Sequence, residues 1–197
     1  MTSFQSRNTL RQTLRRQRRA LSTKQRRIAA TGLQRQLNRQ PATLFAHSIA
    51  LYLTNDGEID TALFLKRAIQ RKQRIYLPVL HPCYRGRLAF IRYQPHTTPM
   101  TINRFGIKEP DFALNKRVSA RFISVICLPL VAFDKTGNRL GMGGGFYDRT
   151  LAFMAGSGQK PKVIGCAYEF QRVAKIPTES WDIPLDYIAT DAQVYRC

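Results

Sequence analysis

Four glycines stand within five residues, at Gly141, Gly143, Gly144 and Gly145, inside the string Leu128 to Leu151, LPLVAFDKTGNRLGMGGGFYDRTL. Glycine tolerates positive φ and lets a backbone approach a ligand closely, and successive N–H groups without side chains form a concavity that suits phosphate oxygens. Phe146 to Ala155 then reads as a helix, with Phe146, Leu151 and Met154 near one face. Its first turn would aim free N–H groups at the loop, where a phosphate would be at home. A plain tight turn between strand and helix is the competing reading. Two common nucleotide motifs fail: a Walker loop needs a Gly-Lys pair, and a dinucleotide fingerprint needs a third glycine where Phe146 stands. Asp148, near the helix start, is either a partner for the helix dipole or a hard oxygen ligand for Mg²⁺.

Other residues offer less. Four cysteines (Cys83, Cys127, Cys166, Cys197) are scattered without a CxxC, and only three histidines accompany them. Zinc and a disulfide framework are therefore not expected, and a reducing cytoplasm is. Cys127 and Cys166 sit in apolar strand patterns, where small hydrophobes belong. His81 has no partner with which to build a metal site or a catalytic pair.

The elements around the loop alternate between strand and helix. Phe122 to Phe133 (FISVICLPLVAF) suits a strand covered on both faces of a mostly parallel sheet, and Asp134 to Asn138 break it with turn chemistry. Upstream, Arg7 to Ala20 and a second helix through about Asn38 carry narrow apolar stripes, Ser22 to Gln25 reading as a capping box for the second. Ser48 to Thr54 reads as a strand, Asn55 to Gly57 as a turn, and Ala62 to Lys72 as a helix capped by Thr61 or Asp60. Glu58 then lies at the carboxyl end of a strand, where open α/β sheets build their sites. Arg74 to Leu80, Leu88 to Tyr93, Lys162 to Phe170 and Tyr187 to Thr190 read as strands, Pro95 to Pro110 and Ile176 to Asp186 as loops. The expected fold is α/β with a largely parallel sheet, preceded by two helices.

A chain of 197 residues with 44% hydrophobic content can bury one sizeable core, so one domain over 1–197 is expected, with 1–40 an Arg-rich helical arm and 41–197 the α/β core. No run approaches the roughly 20 apolar residues of a membrane span. The formal charge is +20, and residues 1 to 55 hold ten Arg and one Lys with no acid, Asp56 being the first carboxylate. Such a segment could bind nucleic acid, guide an anionic substrate, or act as a mitochondrial presequence.

The central string closely resembles the core motif of the 5-formyltetrahydrofolate cyclo-ligase family, the methenyltetrahydrofolate synthetases. The resemblance runs from about Arg7 to Tyr187, so it makes the basic N-terminus part of the mature fold. It implies a three-layer α/β/α arrangement similar to the ribose-phosphate isomerase and CoA-transferase group. It implies conversion of 5-formyltetrahydrofolate and MgATP to 5,10-methenyltetrahydrofolate, ADP and phosphate, by way of a phosphorylated formyl oxygen. Arg7 and Arg11 match the family's N-terminal basic pair on the ATP phosphates; four residues apart, they share a helix face.

By the same comparison Leu53 and Glu58 contact the folate, and Arg139 to Tyr147 (Arg139, Leu140, Gly141, Met142, Gly143, Gly144, Gly145, Phe146, Tyr147) bind ATP. Met142 to Phe146 border both substrates, Arg139, Gly143, Gly144, Gly145 and Tyr147 serve the reaction, and Asp148 with Asp182 holds Mg²⁺. Phe105 to Pro110 resembles the family's G-I-x-E-P element, without an assigned role. A common family form of the loop reads GRGKGYYD; here Met142, Gly144 and Phe146 replace its Arg, Lys and first Tyr. Arg7, Arg11, Arg139 and Arg149 are the candidates to supply the missing charge. The implied partner is 5-formyltetrahydrofolate, with or without a polyglutamate tail, bound by a cytoplasmic monomer with no membrane and no obligatory nucleic acid. A basic nucleic-acid-binding protein, and a folate- or nucleotide-binding relative with little turnover, are the alternatives.

Overall fold

The computed structural model describes residues 6–197. In chain order the elements are α1 (Arg7–Ala20), α2 (Thr23–Arg39), α3 (Pro41–Leu44), β1 (Ser48–Ala50), α4 (Ala62–Gln70), β2 (Arg74–Leu80), β3 (Leu88–Arg92), β4 (Met100–Ile102), β5 (Lys108–Pro110), β6 (Arg117–Val118), β7 (Val125–Pro129), β8 (Ala132–Phe133), β9 (Arg139–Leu140), α5 (Phe146–Leu151), β10 (Lys162–Cys166), β11 (Tyr187–Ala189) and β12 (Val194–Arg196). Short 3₁₀ turns follow β6, α5 and β10.

Eight strands form the main sheet in the order β12-β11-β10-β7-β1-β2-β3-β6. The five central strands, β11, β10, β7, β1 and β2, run parallel, and β12, β3 and β6 pair antiparallel at the edges. After β1 the chain moves outward to β2, whereas after β7 it moves the other way, to β10 and β11. The strand order thus reverses between β1 and β7, and a crevice opens outside their carboxyl ends.

Alternation along the strands builds a core on each face. Ile49, Val125, Cys127 and Ile164 pack under α2 and α4 with Leu33, Leu37 and Phe64, while Ala50, Ile126, Leu128 and Val163 face Leu151 of α5 and Ile123. Burying Phe64 alone contributes about 2–3 kcal/mol. Helix α2 approaches the β11–β12 turn so closely that a Cβ on Gly32 would sit 2.3 Å from the Asp191 carbonyl oxygen. The expected capping box closes its start: Gln25 N–H donates to Ser22 Oγ at 3.2 Å and Ser22 N–H to Gln25 Oε1 at 2.8 Å. On α4, Asp60 does the capping, accepting from Ala62 N–H at 2.8 Å, because the Thr61 hydroxyl donates to the Tyr52 carbonyl at 3.0 Å.

Several boundaries differ from expectation. The apolar run 122–133 is not one strand: β7 ends at Pro129, and β8 turns aside to pair antiparallel with β9. This separate hairpin carries Leu14 of α1 on Val131, Ala132, Leu140 and Ile176, and so packs α1 against the body. The 162–170 run stops at Cys166 and closes with a 3₁₀ turn, and the 146–155 helix tightens to 3₁₀ after Leu151. Inside the expected loop 95–110 lies the β4–β5 hairpin, whose polar residues gave no apolar alternation. No helix among the described residues is long and apolar enough to cross a membrane.

Helix α1 is tied down at Asp56. The Asp56 carboxylate accepts from Arg15 at 2.8 Å, from Arg18 at 2.6 Å and from Arg19, and Arg18 Nε also donates to the Asp56 carbonyl at 2.8 Å. Arg18 is only 1% exposed. Hydrogen bonds from the three guanidinium groups outweigh the cost of burial and hold the Asp56 carboxyl down at about 2. Removing it leaves a buried guanidinium short of its partner. Asp56→Ala should therefore lower stability by about 3 kcal/mol, read as a shift in urea midpoint at neutral pH. Because the folded value is depressed, this contribution is present above the ordinary 3.8 and is lost as pH falls toward about 2. The difference between parent and variant should close over that interval.

Candidate active site

The crevice at the strand reversal is a cavity of about 710 Å³. One wall comes from the β1–β2 half: Leu53 and Glu58 follow β1, and the β4–β5 hairpin leans over the end of β2. The hairpin is anchored by Glu109, whose Oε2 accepts from Leu80 N–H at 3.1 Å and from Asn103 Nδ2 at 2.8 Å. The opposite wall comes from the β7–β10–β11 half: the glycine loop, Asp148 and the segment that carries Asp182. Arg7 and Arg11 reach the cavity from α1.

Glycine is required in the loop at Gly143 and Gly145, whose φ values are +97° and +60°, a region that side chains disfavour. Among the described residues, the N–H groups of Gly141, Met142, Gly143, Gly144 and Gly145 donate to no protein acceptor. The loop's carbonyls, by contrast, are held: Arg11 Nε donates to the Gly141 oxygen at 2.9 Å, and Arg149 donates to the Gly144 oxygen. Fixed carbonyls and unpaired N–H groups make a ready acceptor site for anions.

Charge is arranged to match. Burial and the neighbouring charge of Arg7 push the Arg11 guanidinium below its usual value. A bound anion would relieve both effects. Arg139 is buried, donating to Asp148 Oδ1 at 2.5 Å and to the Ile183 carbonyl. Arg149 does not line the cavity; its guanidinium lies behind the loop, with Nε donating to the Gly86 oxygen at 3.0 Å and the group 5.8 Å from the Phe146 ring centre. It is a brace for the loop, and of the four arginines considered Arg7, Arg11 and Arg139 line the cavity. Met142, where a common family form has Arg, receives a long contact of 3.5 Å from Arg18 to its sulfur.

The two carboxylates considered for a metal both line the cavity. Asp148 Oδ1 accepts from Arg139 and from Ile183 N–H at 3.3 Å, and Asp182 Oδ2 accepts from Arg7 at 3.1 Å and from Glu179 N–H at 2.9 Å. Each therefore keeps one oxygen without a protein donor among the described residues. No group of three or more His, Cys, Asp or Glu suited to a metal occurs among those residues. Two carboxylates beside an anion cradle nonetheless fit Mg²⁺, which keeps several waters and takes one or two carboxylates plus phosphate oxygens.

Of the residues singled out in the sequence, Leu53, Glu58, Arg7, Arg11, Arg139, Gly141 to Asp148 and Asp182 share this one cavity. Leu140 does not. It is fully buried in the small core under α1, and its carbonyl accepts from Val131 N–H at 2.7 Å, so it supports the loop and meets no ligand by its side chain. The lining also includes Phe105, Ile107 and Glu109 of the hairpin and Trp181. Phe105 belongs to the G-I-x-E-P neighbourhood already noted and meets Phe146 edge-on at 5.9 Å between ring centres. For Trp181 the available signal was a lone tryptophan in a proline-interrupted loop.

An α/β chain with a substrate-sized cleft at its strand reversal, and with cations and bare amides converging on one wall, is built like a small-molecule enzyme that handles an anion. The profile of the 5-formyltetrahydrofolate cyclo-ligase family matches residues 3–191. The 5-formyltetrahydrofolate cyclo-ligase of Escherichia coli K12 is 38% identical over 183 residues, 93% of this chain and 99% of that protein. That of Haemophilus influenzae is 47% identical over 140 residues, 71% of this chain and 73% of the relative. The solution structure of 5,10-methenyltetrahydrofolate synthetase from Aquifex aeolicus superposes with a TM-score of 0.82 at 29% identity, covering 98% of this chain and 93% of that one. The chain belongs to the 5-formyltetrahydrofolate cyclo-ligase family, a family of ligases.

Glu58 is the site's most perturbed acid. Burial pushes its carboxyl up to about 7, against the pull of the Asn55 N–H, which donates to Oε2 at 3.1 Å, and of Arg18. For a carboxyl raised on folding, the stability it allows is full below the ordinary 4.5 and is lost as pH rises through about 7. Glu58→Gln mimics the protonated form. Its melting temperature should match the parent's near pH 4.5 and exceed it increasingly up to pH 7, then by a constant margin; a uniform offset would contradict the assignment.

Proposed function

We propose that this chain cyclises 5-formyltetrahydrofolate to 5,10-methenyltetrahydrofolate with consumption of ATP, releasing ADP and phosphate. The observation that carries the proposal is the unpaired run of amides from Gly141 to Gly145 on the same cavity as the half-buried Glu58. An N-formyl oxygen is a poor leaving group, and the dehydration is reversed by water. Transfer of the γ-phosphoryl group to that oxygen breaks the bond to ADP and forms a new P–O bond. The neighbouring folate nitrogen then attacks the formyl carbon, the C–O bond breaks, phosphate departs, and that nitrogen loses its proton.

Such a sequence asks the protein for alignment and charge stabilisation rather than for a nucleophile. The loop amides, with Arg7 and Arg11, hold the triphosphate. Glu58 accepts hydrogen bonds from pterin N–H groups and, with Leu53 and the β4–β5 hairpin, orients the ring beside Met142 to Phe146. Arg139 holds Asp148 in place, and Asp148 and Asp182 provide the oxygens for Mg²⁺. Held by these residues, Mg²⁺ would supply charge stabilisation during phosphoryl transfer. Tyr147 stays neutral, because burial and the nearby Glu58 raise its hydroxyl well above the usual range. It packs or donates a hydrogen bond rather than acting as a base.

The proposed enzyme is a cytoplasmic monomer with one domain over residues 1–197, and its substrate carries or lacks a polyglutamate tail. Pairing of Arg7, Arg15, Arg18 and Arg19 with protein carboxylates accounts for part of the N-terminal charge without any nucleic acid. Incubation with 5-formyltetrahydrofolate and MgATP should produce methenyl absorbance; folded protein that gives none would end the proposal. Asp148→Asn should lower kcat/KM roughly tenfold or more and raise the Mg²⁺ concentration needed for half-maximal rate. An unaltered Mg²⁺ requirement would remove Asp148 from that role.

A further inference from the structure

The two walls of the cleft offer unequal surroundings to a nucleotide. On the cyclo-ligase reading, with the pterin against Glu58 and the hairpin and the phosphates on the glycine loop, the β7–β10–β11 wall is the side left for the nucleoside. On that wall stands Trp181, the chain's single tryptophan. It is 66% exposed although it lines the cavity, and its ring has no aromatic or hydrogen-bonding partner among the described residues. Its backbone is not loose. Asp182 N–H donates to the Glu179 carbonyl at 3.0 Å, Glu179 N–H donates to Asp182 Oδ2 at 2.9 Å, and Arg7 reaches Asp182 at 3.1 Å and Glu179 at 4.0 Å.

We propose that Trp181 is the stacking platform for the purine base of the nucleotide, presented by the turn Glu179–Asp182 next to the arginine that meets the phosphates. An uncovered indole on a braced turn at a cavity mouth keeps a large apolar face in water, and a flat π-faced ligand covers it without any change of backbone. Arg7 links the two parts of the subsite: it fixes the turn through Asp182 and Glu179, and it faces the same cavity as the glycine loop. Stacking of this kind tolerates any purine, so ATP and GTP should be held with similar strength while inorganic triphosphate, lacking a base, is held less well. The inference rests on the cyclo-ligase reading above, and the two can fail separately.

Calorimetric titration of the apoprotein with ATP, GTP and inorganic triphosphate, in the parent and in Trp181→Ala and Trp181→Phe, tests the platform. Loss of the indole should weaken ATP about tenfold and leave triphosphate affinity as it was, with Phe restoring most of the loss. Because Trp181 is the sole tryptophan, its fluorescence should respond to ATP and not to triphosphate. In turnover, Trp181→Ala should raise KM for ATP and leave KM for 5-formyltetrahydrofolate unchanged. Equal ATP affinity in parent and Trp181→Ala, with catalysis intact, would overturn the platform while sparing the cyclo-ligase proposal. A rise confined to KM for the folate would also overturn it, by moving the indole to the other substrate. A parent that binds no nucleotide would overturn both.

Discussion

Asp56 is the first carboxylate in the chain, and three arginines of α1 converge on it. Left in water, ten arginines and a lysine in the first 55 residues would repel one another and hold the helix away from the body. The Asp56 contact instead buries Arg18 and seats Leu14 on the β8–β9 hairpin. Once α1 is fixed at its carboxyl half, its amino half has one direction open to it, and Arg7 and Arg11 come to the cavity. The same turn carries Glu58 two residues later, so one electrostatic contact sets how Glu58 lies relative to Arg7 and Arg11 in the cavity.

The strand reversal supplies the second constraint. Because β1 leads outward one way and β7 the other, the loops after them diverge and leave the crevice between. Each wall then specialises. The β1–β2 wall sets apolar Leu53, Leu77 and Ile107 beside the raised carboxyl of Glu58 and the polar Asn103, Lys108 and Glu109; the opposite wall is rich in main-chain donors and paired acids.

Much of this was legible in the residues. The alternating strands, the capping box at Ser22, the buried run through Cys127 and the glycine loop all follow from local pattern, and the loop's motif gave the family. What local pattern could not give was long-range pairing. The run through Phe133 looks continuous because β7 and β8 are both apolar, yet one belongs to the sheet and the other to a hairpin under α1. Leu140 sits in the binding motif but faces the core, since alternation across β9 turns its side chain away from the cavity. The β4–β5 hairpin is held by a side-chain carboxylate, Glu109, and a polar anchor leaves no hydrophobic period to read.

The missing Lys and Arg of the loop find their physical answer in the same architecture. A cation on the loop itself brings charge and also side-chain entropy that must be lost on binding. Here the amides from Gly141 to Gly145 stay unpaired among the described residues, and Arg7 and Arg11 bring charge to the same cavity from α1, about 40 residues or more before Leu53 and Glu58. Arg11 grips the Gly141 carbonyl, so a guanidinium that faces the cavity also shapes the glycine loop. Arg149, on the far side, takes the Gly144 carbonyl. The loop backbone is thus preorganised by arginines on either side of it, and the attachment of α1 at Asp56 holds one of them in place.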